Sequence, residues 1–226
     1  IKYALTVSLT LVICSAAVSA GIELVFNDPP NSNGIEDKVI SFISGAASTL
    51  DIAIYNLTNY KIYNGIIAAK KRGVNVRVVT ESDNWGAVMT KLKNEGVPVI
   101  KDTDGGGGAG LMHNKFIIRD KKDVLTGSYN FTYPQTSDDK NTLLILTNAS
   151  GAANIYMTEF NQMFVNKKFG TQKSAATVVS AKVGTTKIEI YFSPKGEIIN
   201  KMKAAIATCN SSIWFNIFTF SSQNLA

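Results

Sequence analysis

The stretch that decides the fold is residues 113–131, HNKFIIRDKKDVLTGSYNF. Two apolar runs, 116–118 and 124–125, are predicted to be strands, and the charged residues between them are typical of a turn. His113 opens the stretch and is the only histidine among the 226 residues. A side chain that can serve as nucleophile and as proton carrier near neutral pH therefore occurs once, inside a dense polar cluster.

Strands and helices alternate along the chain on both sides of this stretch. Short runs rich in β-branched and aliphatic residues predict strands at 22–26, 50–55, 74–79, 97–100 and 143–146. Apolar residues at helical spacing predict helices at 36–48, 62–71, 85–94 and about 152–166. The alternation indicates an α/β domain with a largely parallel or mixed sheet.

The polar residues of the central stretch follow the spacing HxK(x)4D(x)6GSxN, occupied by His113, Lys115, Asp120, Gly127, Ser128 and Asn130. This pattern resembles the HKD motif of the phospholipase D superfamily, and the resemblance extends over roughly residues 22–165. It implies the α-β-α sandwich of that superfamily, a mixed sheet flanked by helices. It also implies a phosphodiesterase reaction that needs no metal or other cofactor.

Physical reasoning assigns a role to most of the motif residues. Residues two apart on a strand face the same side, so His113 and Lys115 are expected to point into one pocket. Lys115 would neutralise the phosphate oxygens, and Ser128 and Asn130, again two apart, would donate hydrogen bonds to them. His113 would attack phosphorus and form a phosphohistidine. Asp120 joins the catalytic set by resemblance, although in the superfamily this residue usually supports the fold.

One position departs from the superfamily pattern. Members often carry a glutamate just before the asparagine in the strand that follows GSxN, whereas here Lys140 precedes Asn141. This substitution removes a residue that supports the histidine in those members. It is expected to lower the activity or to alter the choice of substrate.

The reaction also needs a second histidine as general acid. The superfamily supplies it from a second motif, in a second repeat or in a second subunit. Residues 188–192, 197–207 and 213–221 resemble 22–26, the first helix and 50–58, which predicts an internal duplication. The predicted division is therefore a phospholipase D-like domain over 21–168, a linker over 169–186 and the start of a second repeat over 187–226. By the same spacing, its histidine would lie near position 276, and a homodimer is the alternative.

The first 20 residues have the order of a secretory signal peptide. Lys2 precedes an apolar run over 4–14, and small residues follow up to Ala20, where cleavage is expected. The protein is therefore predicted to be secreted or periplasmic. Removal of this segment would leave Cys209 as the one cysteine, so no internal disulfide is expected.

The charge of the chain bears on its partner. The formal net charge is +6, which favours a polyanion such as nucleic acid or an anionic lipid. The sequence thus predicts an exported phosphodiesterase with nucleic acid as favoured substrate. The alternatives are a phospholipase D acting on phosphatidylcholine-type lipids and a degenerate repeat that binds nucleic acid or phosphate without turnover.

Overall fold

The computed structural model describes residues 19–29, 34–106 and 110–214. Seven strands form one mixed sheet in the order β1-β7-β6-β5-β2-β3-β4. Strands β2, β3 and β4 run parallel to one another. All other neighbouring strands in this sheet pair antiparallel. The strands are β1 Gly21–Phe26, β2 Thr49–Ile54, β3 Asn75–Thr80, β4 Val99–Lys101, β5 Lys115–Arg119, β6 Asp123–Gly127 and β7 Thr142–Thr147.

Helices cover both faces of this sheet, which confirms the predicted α-β-α sandwich. On one face α1, α2 and α3 pack through Ile35, Ile66 and Leu92, and on the other α5 packs through Phe160. Strands β2 to β7 supply residues to both cores, because successive side chains point to opposite faces. The helices are α1 Gly34–Ser44, α2 Tyr60–Lys71, α3 Ala87–Asn94, α4 Tyr133–Ser137, α5 Ser150–Phe164 and α6 Ile198–Ile206.

The topology brings the motif to one edge of the sheet. The carboxyl end of β2 lies beside the start of β5, since Ile54 pairs with Lys115. On the other side of β5, Phe116 pairs with Thr126, so the end of β6 reaches the same edge. Crevices at the carboxyl ends of parallel strands are the usual ligand sites of such sheets. The residues before β5 and after β6 therefore meet where a site is expected.

The segment over 169–186, predicted to be a linker, carries secondary structure and packs against the domain. It contains a short 3-10 turn at Gly170–Gln172 and the strand β8 Ser180–Val183, which contacts α5. β8 pairs with β9 Thr186–Glu189 in a separate two-stranded sheet. Lys173 and Val183 are buried there, so the segment is an ordered part of the structure, and its role as a linker to a second repeat stays a prediction.

The predicted second copy is described only at its start. The strand expected at 188–192 is replaced by β9, which ends at Glu189 and does not join the main sheet. The helix expected at 197–207 is present as α6. Most of the strand expected at 213–221, and nearly all of the predicted signal peptide, lie outside the described residues. Within the described ranges, we find no helix of the length and apolarity required to cross a membrane.

Candidate active site

His113 and Lys115 meet around the ring of Tyr55, the first residue after β2. The His113 ring contacts Tyr55 edge-on, with 4.5 Å between ring centroids and an angle of 70° between the planes. The Lys115 ammonium group lies 5.0 Å from the centroid of the same ring and donates a hydrogen bond to the His113 carbonyl at 3.1 Å. β5 begins at Lys115, so His113 stands just outside the strand on which it was expected. The two residues are brought together nonetheless.

Lys115 is a buried cation that has no counterion within the described part of the chain. The residue is 9% exposed, and among the described residues no carboxylate forms an ion pair with it. Burial lowers the pKa of Lys115 from its ordinary value to about 8. An ammonium group held out of water without a carboxylate is well suited to receive an anion.

His113 is partly exposed at the mouth of this site. Partial burial, and secondly the charge of Lys115, lower the pKa of His113 below its ordinary value of 6.5. At neutral pH the imidazole is therefore mainly uncharged, and a ring nitrogen carries a free lone pair. An exposed, neutral imidazole beside a cation is the state that a nucleophile toward an anionic centre requires.

Ser128 follows the end of β6 rather than lying on a strand, and its hydroxyl group is already engaged. It donates to the Asn141 amide oxygen at 2.8 Å and accepts from the Thr142 N–H at 3.1 Å. This arrangement depends on Gly127, because an added Cβ there would lie 2.0 Å from the Thr142 carbonyl oxygen. Ser128 can donate to a substrate only after its bond to Asn141 is broken.

Asn130 keeps an unmet hydrogen bond. Its amide oxygen is buried and has no partner among the described residues, and its backbone N–H lies 3.5 Å from the Gln135 amide oxygen. The next residue, Phe131, donates its N–H to the Asn56 carbonyl at 3.0 Å, which ties this loop to the one after β2. The unpartnered atom is an acceptor, so Asn130 can act as the predicted donor only through its amide nitrogen.

Asp120 does not belong to this site. It lies at the far end of β5, about 16 Å along the strand from Lys115. Its carboxylate accepts hydrogen bonds from the N–H groups of Ala47, Ser48 and Thr49 and from the Ser48 hydroxyl. Five residues of extended strand separate it from the histidine, which favours the expectation that this residue supports the fold. It fastens the loop between α1 and β2.

Lys140 does not take over the part of the missing glutamate. Its exposed ammonium group pairs with Asp28 at 3.0 Å, and among the described residues no carboxylate forms an ion pair with His113. The contact recorded for the His113 ring is the one with Tyr55. Among the described residues, the imidazole is therefore held by packing against Tyr55 and not by an ion pair with a carboxylate.

Tyr55 and Glu81 border the site, although neither was predicted from the sequence to belong to it. Glu81 follows β3, is almost fully buried, and accepts a hydrogen bond from the Met112 N–H at 2.5 Å. Burial, opposed in part by that bond, raises the pKa of Glu81. Both residues directly follow parallel strands. Because ligand sites usually lie at the carboxyl ends of such strands, their positions in the sequence could have indicated that they border the site.

A cavity of about 490 Å³ opens beside His113 on the α5 side of the sheet. Of the predicted site residues, only His113 lines it, together with its neighbour Asn114. The apolar part of its wall consists of Leu111, Met112, Met163, Phe169, Phe192 and Ile198. The site thus combines a polar edge at Lys115 with an apolar recess.

Comparison with known proteins places these features in a family. The family described as "Cardiolipin synthase, PLD-like domain" matches residues 39–164. The mitochondrial cardiolipin hydrolase of Mus musculus is 27% identical over 138 residues, 60% of this chain and 60% of that protein. A phospholipase D of Rickettsia prowazekii is 33% identical over 102 residues, 44% of this chain and 48% of that protein. The chain thus matches about 60% of the length of the cardiolipin hydrolases.

Two solved structures resemble the chain over most of their own length. Nuc from Salmonella typhimurium, a phospholipase D family member, superimposes with a TM-score of 0.58 at 25% identity, over 66% of this chain and 96% of that one. NucT from Helicobacter pylori superimposes with a TM-score of 0.56 at 20% identity, over 65% and 98%. The similarity to NucT, at 20% identity, supports the fold alone.

Proposed function

The chain belongs to the family of phospholipase D-like domains, and on that premise we propose that it is a phosphodiesterase whose nucleophile is His113. The observation that carries the proposal is a partly exposed imidazole beside the buried ammonium group of Lys115, which no carboxylate in the described residues neutralises. A phosphodiester would bring the missing negative charge. No other described cation combines burial with contact to the only histidine.

The proposed reaction has two displacements at phosphorus. A neutral ring nitrogen of His113 attacks, the phosphorus–nitrogen bond forms, and the bond to one alcohol oxygen breaks. Lys115 neutralises the charge on the non-bridging oxygens, and Asn130 donates to them once its amide has turned. Water then attacks phosphorus, the phosphorus–nitrogen bond breaks, and His113 is regenerated.

A second histidine is part of this proposal. The departing oxygen needs a proton, and the attacking water must lose one, so a group with a pKa near neutrality has to stand opposite His113. We propose that another copy of the motif supplies it, from a second repeat in the natural protein or from a second subunit. In either case two half-sites face each other.

Two substrate classes share this chemistry. Nucleic acid is the candidate that the net charge of +6 favours. A phospholipid is the second candidate, and the apolar recess beside His113 favours it, as does the similarity to cardiolipin hydrolases. His113 lines the recess and Lys115 does not, so in this proposal either substrate places its phosphate at the polar edge formed by Lys115.

The direct test measures turnover of several phosphodiesters in EDTA. The protein is incubated with DNA, RNA, phosphatidylcholine and cardiolipin, and the released products are quantified. Cleavage of DNA or RNA alone supports the nucleic-acid candidate. Release of a lipid headgroup or hydrolysis of cardiolipin supports the phospholipid candidate. Activity that requires an added divalent metal would contradict the proposed metal-independent reaction.

The matched variants are His113→Asn and Lys122→Met. His113→Asn keeps a planar polar side chain and removes the nucleophilic ring nitrogen, so turnover and any phosphoenzyme should vanish. Lys122→Met removes one exposed positive charge from the turn of the same hairpin and should leave turnover unchanged. Binding of substrate without turnover by the unaltered protein would favour the degenerate binding repeat instead.

We also propose that the protein is exported and that residues 1–20 are removed. β1 begins at Gly21, so cleavage after Ala20 would leave all seven strands of the main sheet complete. Mass spectrometry of the protein recovered from the periplasm or medium should give Gly21 as the first residue. Recovery with residues 1–20 still attached would contradict cleavage.

A further inference from the structure

The segment after α5 returns to the helix and buries a lysine against it. Lys173 Nζ lies 2.5 Å from Glu159 Oε1, and the two side chains are 8% and 4% exposed. Other ion pairs among the described residues leave at least one partner more open to solvent. Lys173 comes after residue 164, where the family match ends. A residue outside the matched domain thus completes a buried ion pair inside it.

The same carboxylate also contacts the residue between His113 and Lys115. The Asn114 amide nitrogen lies 3.4 Å from Glu159 Oε1 and 3.6 Å from the Met163 sulfur, both on α5. The Asn114 carbonyl accepts the Tyr55 N–H at 3.0 Å. Asn114 is therefore held by its side chain to α5 and by its backbone to the residue after β2.

We propose that Glu159 and Lys173 are positioning residues that act on His113 and Lys115 through Asn114. Side chains alternate at the start of β5, so fixing the Asn114 amide on the α5 side sets the direction in which its two neighbours project. Lys173 keeps the carboxylate neutralised, so that Asn114 is held without an uncompensated negative charge near the imidazole. The proposal rests on the proposed catalytic role of His113.

Variants that lack one or both charges of the Glu159–Lys173 pair distinguish a positioning role from a general contribution to stability. Lys173→Met leaves a buried, unpaired carboxylate next to Asn114, whereas Glu159→Gln with Lys173→Met leaves no charge and still offers an amide oxygen to Asn114. We expect Lys173→Met to lower kcat about tenfold with little change in KM, because the nucleophile is displaced rather than the binding surface. The double variant should regain most of the lost kcat.

The matched control is Arg77→Met. Arg77 pairs with Asp51 at 2.7 Å and lies over the rings of Phe160 and Phe164, on the same α5 side of the sheet. Its loss also leaves a buried carboxylate unpaired, yet Asp51 does not touch Asn114. Thermal melting should show comparable destabilisation in both single variants, with kcat reduced only in Lys173→Met. An equal loss of kcat in Arg77→Met, or an unchanged kcat in a folded Lys173→Met, would overturn the proposal.

A readout that needs no substrate keeps this proposal separate from the proposed function. His113 is the only histidine, so a chain without an added tag gives one set of imidazole NMR signals. In Lys173→Met the unpaired carboxylate should raise the pKa of His113 by roughly half a pH unit, and the double variant should restore it. The same titration curve in all three proteins would refute positioning, whereas absence of turnover with the expected shifts would count against the proposed function alone.

Discussion

The protonation of Lys115 is set by its burial, and Lys115 in turn acts on the protonation of His113. Burial lowers the pKa of Lys115 to about 8, and its remaining charge contributes to the lowered pKa of His113. Between these two values the imidazole is neutral and the ammonium is charged. That is the pair of states that attack on a phosphodiester requires.

We predict a bell-shaped dependence of kcat/KM on pH in the free enzyme. The rate should rise as His113 loses its proton, with a midpoint below 6.5, and should fall as pH increases through about 8, where Lys115 becomes neutral. Steady-state kinetics between pH 5 and 10 would measure both limbs.

Lys115→Arg identifies the group behind the alkaline limb. A guanidinium keeps its charge throughout this range, so the fall near pH 8 should disappear even if the variant is slower. Persistence of the same fall in Lys115→Arg would assign it to another group.

At the level of elements, the end of β6 depends on a close approach between two backbones. Gly127 faces the Thr142 carbonyl oxygen, 2.0 Å from where a Cβ would stand, and the Ser128 N–H donates to that oxygen at 3.0 Å. Any larger residue must push β6 away from β7. The position of Ser128, and of the loop that holds Asn130, follows from this contact.

Gly127→Ala is therefore predicted to lower both stability and activity. The free energy of unfolding should fall by about 2 to 3 kcal/mol, because the added methyl group collides with backbone rather than with a movable side chain. Gly34→Ala is the matched control, since a Cβ there meets nothing within 4 Å. Urea denaturation would show the difference, and equal stabilities of the two variants would contradict the close contact.

The turn between β5 and β6 fastens the opposite end of the sheet through Asp120. Partial burial alone would raise the pKa of this carboxyl, but hydrogen bonds from Thr49, Ala47 and Ser48 outweigh it and lower the pKa to about 2. A folded-state pKa below the unfolded value gives stability that is present above about pH 4. That stability is lost as pH falls from about 4 to 2.

Asp120→Asn should lower the free energy of unfolding at pH 7 by on the order of 1 to 2 kcal/mol, less than the full shift implies because the carboxylate is partly exposed. The difference from the unaltered protein should shrink toward pH 2. Activity per folded molecule should stay unchanged, because Asp120 lies far from His113. The control is Glu95→Gln, an exposed carboxylate at the end of α3. A loss of kcat at full stability would return Asp120 to the catalytic set.

At the scale of the whole molecule, the proposed mechanism makes the site half of a catalytic pair, and within the described residues α6 exposes an apolar face. Ile199, Met202 and Ile206 on α6 are more than 40% exposed, whereas the apolar residues of α1, to which α6 is similar, are buried. A second repeat would place these α6 residues in its own core. A second subunit would bring its own His113 across a two-fold axis.

Mixing experiments distinguish a second subunit from a second repeat. If two copies of His113 share each site, a tenfold excess of His113→Asn should lower the activity of the unaltered protein about tenfold through mixed dimers. Specific activity should also fall on dilution below the dimer dissociation constant. Activity that is indifferent to both treatments would exclude a shared site between subunits.

Much of the fold could be predicted because local pattern and tertiary packing agree. The valine-rich run over 74–79 predicts a strand, and it is β3, which lies between β2 and β4 in the sheet. α4 at Tyr133–Ser137 is too short for a helical period to appear. The hairpin of β8 and β9 is rich in small polar residues, which resemble a linker until α5 is packed against them.

The sequence by itself determined the α/β class, the location of the site and the pair His113 and Lys115, because strand periodicity and motif spacing are local properties. Only the tertiary structure decided that Asp120 lies at the far end of β5, that Ser128 is bound to Asn141, and that Tyr55 and Glu81 border the site. Those outcomes depend on which strand ends share an edge and on which polar groups lose water there. The spacing of residues along one chain does not contain that information.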